Sequence, residues 1–193
     1  MRIFLAGASG VIGTRLVPLL VATGHEVAGM TRSPDKADLL RRLGATPVVC
    51  DVYDREALRD AVVSSAPDAV VHELTDLPDD ASALGRDGRN ARIRREGTRN
   101  LLTAAHAAGA RRFLAQSVAW ELEGDGAAAK AELERLTLEA GGVVLRYGRL
   151  YGPETYYPDT LPPPPRIHVD EAARLTVALF DAPSGVVELV EDG

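Results

Sequence analysis

The chain has 193 residues, 46% hydrophobic and 26% charged, with a formal net charge of −6. That length suits one globular domain with its own buried core, and the acidic balance argues against nucleic acid or an anionic membrane as the main partner. A single cysteine, Cys50, excludes an internal disulfide and fits a reducing, cytoplasmic setting, with the thiol as a small core residue.

Residues 1–5 turn into glycines too soon for a signal peptide, and no apolar run approaches a membrane span. From there, short apolar runs alternate with helical spacing. Residues 3–6 read as a strand, and residues 11–22 as a helix with Ile12, Leu16, Leu19 and Leu20 on one stripe. Strand two is expected over 26–30, then a helix over 34–43 with Pro34 near its start, where proline is tolerated. Strand three covers 46–50, and a helix over 54–64 takes Asp54 as its N-cap. Residues 69–72 form strand four. A polar loop over 76–88 leads into a long helix over 90–108 that stops at Gly109. Strands five and six, over 112–116 and 143–146, flank a helix over 127–140 that ends at Gly141 and Gly142. Beyond Gly152, prolines break regular structure, and the run over 162–165 favours extended chain. A helix over 170–180, with Asp170 as N-cap, and a strand over 186–190 follow.

The alternation predicts an α/β fold: a Rossmann-type, doubly wound parallel sheet in a single domain. Residues 1–152 are expected to form the dinucleotide-binding body, and 153–193 a short substrate-side segment of the same domain.

The chemistry concentrates first in Gly7-Ala8-Ser9-Gly10-Val11-Ile12-Gly13, between the first strand and first helix. A first glycine allows the sharp turn, a second lets backbone approach a pyrophosphate, and a third lets helix pack on strand. The helix N-terminus offers free N–H groups and a partial positive charge to phosphate. The end of strand two selects the cofactor. NAD(H) selection usually places an acid there. This chain has Thr31-Arg32-Ser33, which suits the 2′-phosphate of NADP(H).

Further segments carry a resemblance. They are Cys50-Asp51-Val52, Glu96-Gly97-Thr98-Arg99-Asn100-Leu101-Leu102, Arg112-Phe113-Leu114-Ala115-Gln116-Ser117, the stretch Leu145-Arg146-Tyr147-Gly148-Arg149-Leu150-Tyr151-Gly152-Pro153, and His168-Val169-Asp170-Glu171-Ala172-Ala173. With the glycine loop they resemble the NAD(P)-dependent epimerase/dehydratase branch of the short-chain dehydrogenase/reductase superfamily. The resemblance implies that Asp51 and Val52 line an adenine pocket. It implies that His72, Glu73 and Leu74 pass beneath the pyrophosphate and nicotinamide ribose, and that Ser117 hydrogen-bonds the reacting oxygen. Asn90 resembles the family's helix-start asparagine, and a homodimer is the assembly the resemblance suggests.

One departure bears on catalysis. The family pairs a tyrosine with a lysine four residues on, which helical spacing puts on one face. The lysine in the right region is Lys130, and four residues before it stands Gly126. Lys130 is then either a ribose ligand or a solvated residue paired with Glu134. Only about 13 residues separate Ser117 from Lys130, a shortened loop. The substrate region after Pro153 is short too, which implies an active site that is open or completed by another subunit. Tyr147, Tyr151, Tyr156 and Tyr157 cluster on the expected substrate side, so Tyr147 or Tyr151 enters as a replacement acid, against the alternative of aromatic packing. Trp120 is expected to wall the pocket. The arginines 89, 92, 94, 95 and 99 read as a solvated face with partners such as Glu96, or as a binder of an anionic substrate.

Three functions stay open at this level. The first is an NADP-dependent oxidoreductase, or epimerase/dehydratase-like enzyme, acting on a small carbonyl or sugar-like substrate. The second is a non-redox isomerase, dehydratase or cyclase on the same scaffold, with the cofactor structural or absent and acid–base groups such as His72, Glu121 or a tyrosine. The third is a non-catalytic NADP(H) sensor. No spacing suggests a metal site.

Overall fold

The computed structural model describes residues 1–78 and 88–191. Seven parallel strands form one sheet: β1 (Arg2–Ala6), β2 (Glu26–Thr31), β3 (Thr46–Val49), β4 (Ala69–His72), β5 (Arg112–Val118), β6 (Val143–Tyr147) and, from the end of the described chain, β9 (Gly185–Leu189). Their spatial order is β3-β2-β1-β4-β5-β6-β9. The order reverses between β1 and β4, so a crevice opens beyond their C-terminal ends.

Both sheet faces are covered, which is why the strands read as apolar runs rather than as alternating patterns. In β1, Ile3 and Leu5 join the core under α1 (Gly13–Ala22) and α7 (Val169–Ala178), whereas Phe4 and Ala6 join the core on the other face. That second layer is built by α3 (Arg55–Ser65), α5 (Thr98–Ala107) and α6 (Gly124–Glu139). Asp54 caps α3, its side chain accepting from the Ala57 N–H at 3.1 Å as expected.

Several boundaries differ from the sequence reading, each for a local reason. The helix expected from residue 11 starts at Gly13, because the glycine loop continues through Ile12. The segment from residue 34 opens as a 3₁₀ turn (Pro34–Lys36) before α2 (Ala37–Arg42). The single helix expected over 90–108 is three pieces: α4 (Arg89–Arg92), a π-helical turn (Ile93–Gly97) and α5. A single π turn is rare and only five residues long here, so the helical pattern on either side of it does not reveal it. Most of the polar loop expected over 76–88 lies outside the described residues.

Two short strands went unpredicted: β7 (Arg149–Tyr151) and β8 (Arg166–His168), which pair in parallel as a separate ladder. Three residues each are too few to carry a period. The α7 cap is also corrected. His168 is the N-cap and accepts from the Asp170 N–H at 3.3 Å, while Asp170 sits in the first turn.

Candidate functional site

The glycine loop is shaped by close approach. Gly7 has φ +95°, and a Cβ there would lie 2.7 Å from the Glu73 carbonyl carbon; at Gly13 it would lie 2.2 Å from the Gly7 oxygen. Gly10 differs: its Cβ would meet only the Gly7 oxygen, at 3.3 Å. Its outer side therefore stays open, in front of Val11 and the α1 N-terminus, where Ile12 provides no side-chain cap. These are the features a pyrophosphate requires.

The loop is tied to the end of β2. Ser9 Oγ and Thr31 Oγ1 are 2.9 Å apart, and Thr31 Oγ1 also accepts from the Ser33 N–H at 3.2 Å. Arg32 points outward, its side chain 63% exposed, with a long 3.4 Å bond to Asp76 Oδ1. At the end of β3, Asp51 is exposed and accepts from the Tyr53 N–H at 2.9 Å, while Val52 is buried and its carbonyl accepts from Asn100 Nδ2 at 2.9 Å.

At the end of β4, neighbouring residues face opposite layers. His72 is fully buried toward α5. Its Nδ1 accepts from the Leu74 N–H at 3.2 Å, so Nε2 carries the proton and donates to Thr98 Oγ1 at 3.1 Å. Burial, with the charge of Arg94 nearby, lowers its pKa to about 3. Both ring nitrogens are engaged and the ring stays neutral, which suits a strut better than a base. Leu74 is held from its other side, its carbonyl accepting from Gln116 Nε2 at 3.2 Å.

Glu73 turns toward α7. Its Oε1 accepts from the Tyr147 hydroxyl at 3.0 Å, and that hydroxyl lies 2.7 Å from Thr176 Oγ1. Burial raises the Glu73 pKa to about 8 despite the Tyr147 bond, and burial next to Glu73 pushes Tyr147 well above its usual range. The four tyrosines thus do not act as one cluster. Tyr147 is buried under α7, the Tyr151 hydroxyl donates to Glu191 at 2.5 Å, and the Tyr156 hydroxyl donates to the Pro78 carbonyl.

On the α6 side, Ser117 meets a group that sequence reasoning did not assemble. Its hydroxyl donates to Glu134 Oε1 at 2.6 Å, and Arg146 grips both Glu134 oxygens, at 2.9 and 2.7 Å. Burial disfavours the Glu134 charge, but the bonds from Arg146 and Ser117 outweigh it and hold the carboxyl below its usual range. Lys130 is not solvated, and Glu134 is not its bonded partner: it is buried, with Nζ donating to the Trp120 carbonyl at 3.2 Å. Trp120 in turn carries the Arg149 guanidinium 4.9 Å above its ring.

The basic helix is corrected at one position. Arg92 bonds Glu96 at 3.0 Å as expected, and Arg95 and Arg99 reach across to Glu132 on α6. Arg94, however, is 95% buried, on the π turn, and its Nε has no hydrogen-bond partner. Periodicity cannot single it out among five arginines, because the π turn rotates it inward. Among the described residues, no helix is long and apolar enough to cross a membrane.

A family profile described as NAD(P)H-binding matches residues 7–137, from the first glycine of the loop to α6. The chain belongs to that NAD(P)H-binding family. A Streptomyces protein named 3-diazoavenalumate denitrifying reductase is 41% identical over 187 residues, covering 81% of this chain and 59% of that protein. This family member therefore spans about three fifths of that relative's length. The Thermus thermophilus UDP-glucose 4-epimerase in complex with NAD superposes over 100% of this chain and 78% of its own, with a TM-score of 0.80 at 21% identity. A putative NAD-dependent epimerase/dehydratase from Bacillus halodurans covers 100% of this chain and 94% of its own, with a TM-score of 0.78 at 21% identity. At that identity the likeness speaks for the fold. Together these findings make this a member of the NAD(P)H-binding family with a Rossmann sheet.

Proposed function

We propose that this chain is an NADPH-dependent reductase that delivers hydride to a small substrate beside Ser117, at the C-terminal ends of β4 to β6. The observation that carries the reading is the open side of Gly10 in front of an uncapped α1. In this reading the backbone of Ser9 to Gly13 holds the pyrophosphate. Thr31 and Arg32 take the 2′-phosphate, which displaces the long Asp76 bond. Asp51 and Val52 border the adenine, and the Glu73 and Leu74 backbone with Lys130 borders the nicotinamide ribose. The bound cofactor supplies the hydride. Titration with NADPH and NADH tests this first: the reading expects tighter NADPH binding, and binding of neither nucleotide overturns it.

A second observation bears on the acceptor. A carbonyl that takes hydride leaves an alkoxide, and losing its general acid costs roughly 10²- to 10⁴-fold. Here Gly126 stands where the tyrosine is expected, and the Ser117 proton is committed to Glu134. The Tyr147 and Tyr151 hydroxyls likewise donate to the carboxyl groups of Glu73 and Glu191. An acceptor that needs no proton fits this set better than a carbonyl or sugar-like substrate. An arenediazonium carbon is one: a C–H bond forms from hydride, the C–N bond breaks, and its electron pair leaves with dinitrogen. The Streptomyces relative is named for a denitrifying reduction of a diazo compound. Incubation with NADPH and an arenediazonium salt is expected to consume NADPH above the protein-free rate, with one dinitrogen per NADPH. Turnover of a carbonyl panel with an idle diazonium arm would return the acceptor to the carbonyl class.

A further inference from the structure

Most charges in this protein are paired or solvated, which makes Arg94 an exception. It is 95% buried, its Nε is closed off from solvent without a partner, and among the described residues its guanidinium makes neither a hydrogen bond nor an ion pair. A buried cation without a counter-charge is costly, and proteins keep one where something else completes it.

Its surroundings show what that would be. Glu134 is the carboxylate whose charge Arg94 feels, yet Ser117 and Arg146 already occupy both Glu134 oxygens. Lys130 is a second buried cation felt by Glu134, and it bonds only the Trp120 carbonyl among the described residues. Two cations thus stand around a carboxylate that bonds neither of them: Oε1 accepts from Ser117 and Arg146, and Oε2 from Arg146. His72, which also feels the Arg94 charge, stays neutral and adds no negative charge. Thr98 fixes the place of the group. It donates to the Arg94 carbonyl at 2.5 Å and receives His72 Nε2, which pins the π turn to the end of β4, beside the end of β5 that carries Ser117.

The geometry points to a carboxylate-binding subsite made by Arg94 and Lys130, in which an acidic substrate places its carboxylate between the two cations and its reacting atom near Ser117. The planar guanidinium suits a carboxylate through parallel N–H bonds, including the Nε–H that now lacks an acceptor. Assigning the carboxylate to a substrate rests on the reductase reading above; the anion site itself does not.

The test uses sodium benzoate as probe, with benzamide and sodium sulfate as controls at equal ionic strength, and reads thermal stability and calorimetric binding. Benzoate is expected to raise the Tm saturably, with benzamide inactive and sulfate weaker. Arg94→Met should abolish the shift, Lys130→Met should weaken benzoate binding about tenfold by loss of one charged contact, and Arg92→Met on the exposed face should leave it intact. The Tm of Arg94→Met without probe is a separate readout: removing an unmatched buried cation should leave it unchanged or higher, whereas a structural arginine would lower it. If Arg94→Met fails to fold, Arg94→Lys keeps the charge, loses the fork, and should show a reduced benzoate shift. An equal benzoate shift in the Arg94 variants, or none in the wild type, overturns the site; sulfate equal to benzoate overturns the carboxylate assignment. NADPH titration of the same samples separates the readings: benzoate binding without NADPH binding defeats the reductase and leaves the anion site standing.

Discussion

At Gly10 an added Cβ meets a single oxygen at 3.3 Å, whereas at Gly13 it meets the same oxygen at 2.2 Å and the Ala8 backbone at 2.7 Å. Two glycines of one motif therefore do different work. Gly10→Ala should fold with a smaller loss of stability than Gly13→Ala but bind NADPH at least about tenfold more weakly, because its methyl enters the pyrophosphate space. Gly13→Ala should instead lose about 2 kcal/mol or more of stability, by a backbone clash that no rotamer relieves. Melting curves with calorimetric titration check both, and a Gly10→Ala protein that binds NADPH normally would argue against the loop as the cofactor site. Arg32 supports a sharper expectation. Arg32→Ala should weaken NADPH binding by about 1.5–3 kcal/mol, the worth of a charge-assisted hydrogen bond, and leave NADH nearly unaffected. An unchanged NADPH/NADH affinity ratio would sink the role given to it.

The end of β4 behaves as an element with two opposed titrations. His72 sits at about 3 in the folded chain against 6.5 unfolded, so below pH 6.5 the unfolded chain takes up a proton that the folded one refuses, and stability falls toward pH 3. Glu73 sits at about 8 against 4.5, so between those values the folded chain keeps a proton that the unfolded one has lost. On its account stability is greatest below pH 4.5 and declines as the pH rises through 8. At about 1.4 kcal/mol per unit of pKa difference, each limb is worth on the order of a few kcal/mol. Denaturant unfolding from pH 4 to 9 should show both limbs, with Glu73→Gln removing the alkaline one and leaving the acid one. The same slope from pH 5 to 8 in wild type and Glu73→Gln would refute the assignment.

Across the whole molecule, Arg15 joins the cofactor helix to the later part of the chain. Its guanidinium donates to the Val11 carbonyl at 2.9 Å, Glu154 at 3.0 Å, the Pro153 carbonyl at 2.8 Å and Asp170 at 2.7 Å. Both carboxylates are well exposed, so the ion pairs themselves contribute little. The geometric effect is larger: one side chain sets the 152–154 turn against the loop that precedes α1. Arg15→Ala should cost only about 1 kcal/mol of stability, yet speed limited proteolysis within 153–165. Unchanged cleavage there would show that the β7–β8 ladder holds this segment alone.

Local pattern determined much of this protein. The glycine spacing, the alternation of apolar runs with helical stripes and the Asp54 cap are short-range signals, and they place the Rossmann sheet and its phosphate loop without a partner element in view. The charged interior was decided elsewhere. Ser117 and Arg146 lie on adjacent strands, Glu134 on the helix over them, and Arg94 on a π turn that faces the same helix. Each is an ordinary polar residue in its own segment, and nothing in the spacing of one refers to another. Only the packing of α6 and the π turn on β4 to β6 turns Lys130 and Arg94 inward and leaves a buried cation without a partner, because burial and charge pairing are properties of neighbours in space rather than along the chain.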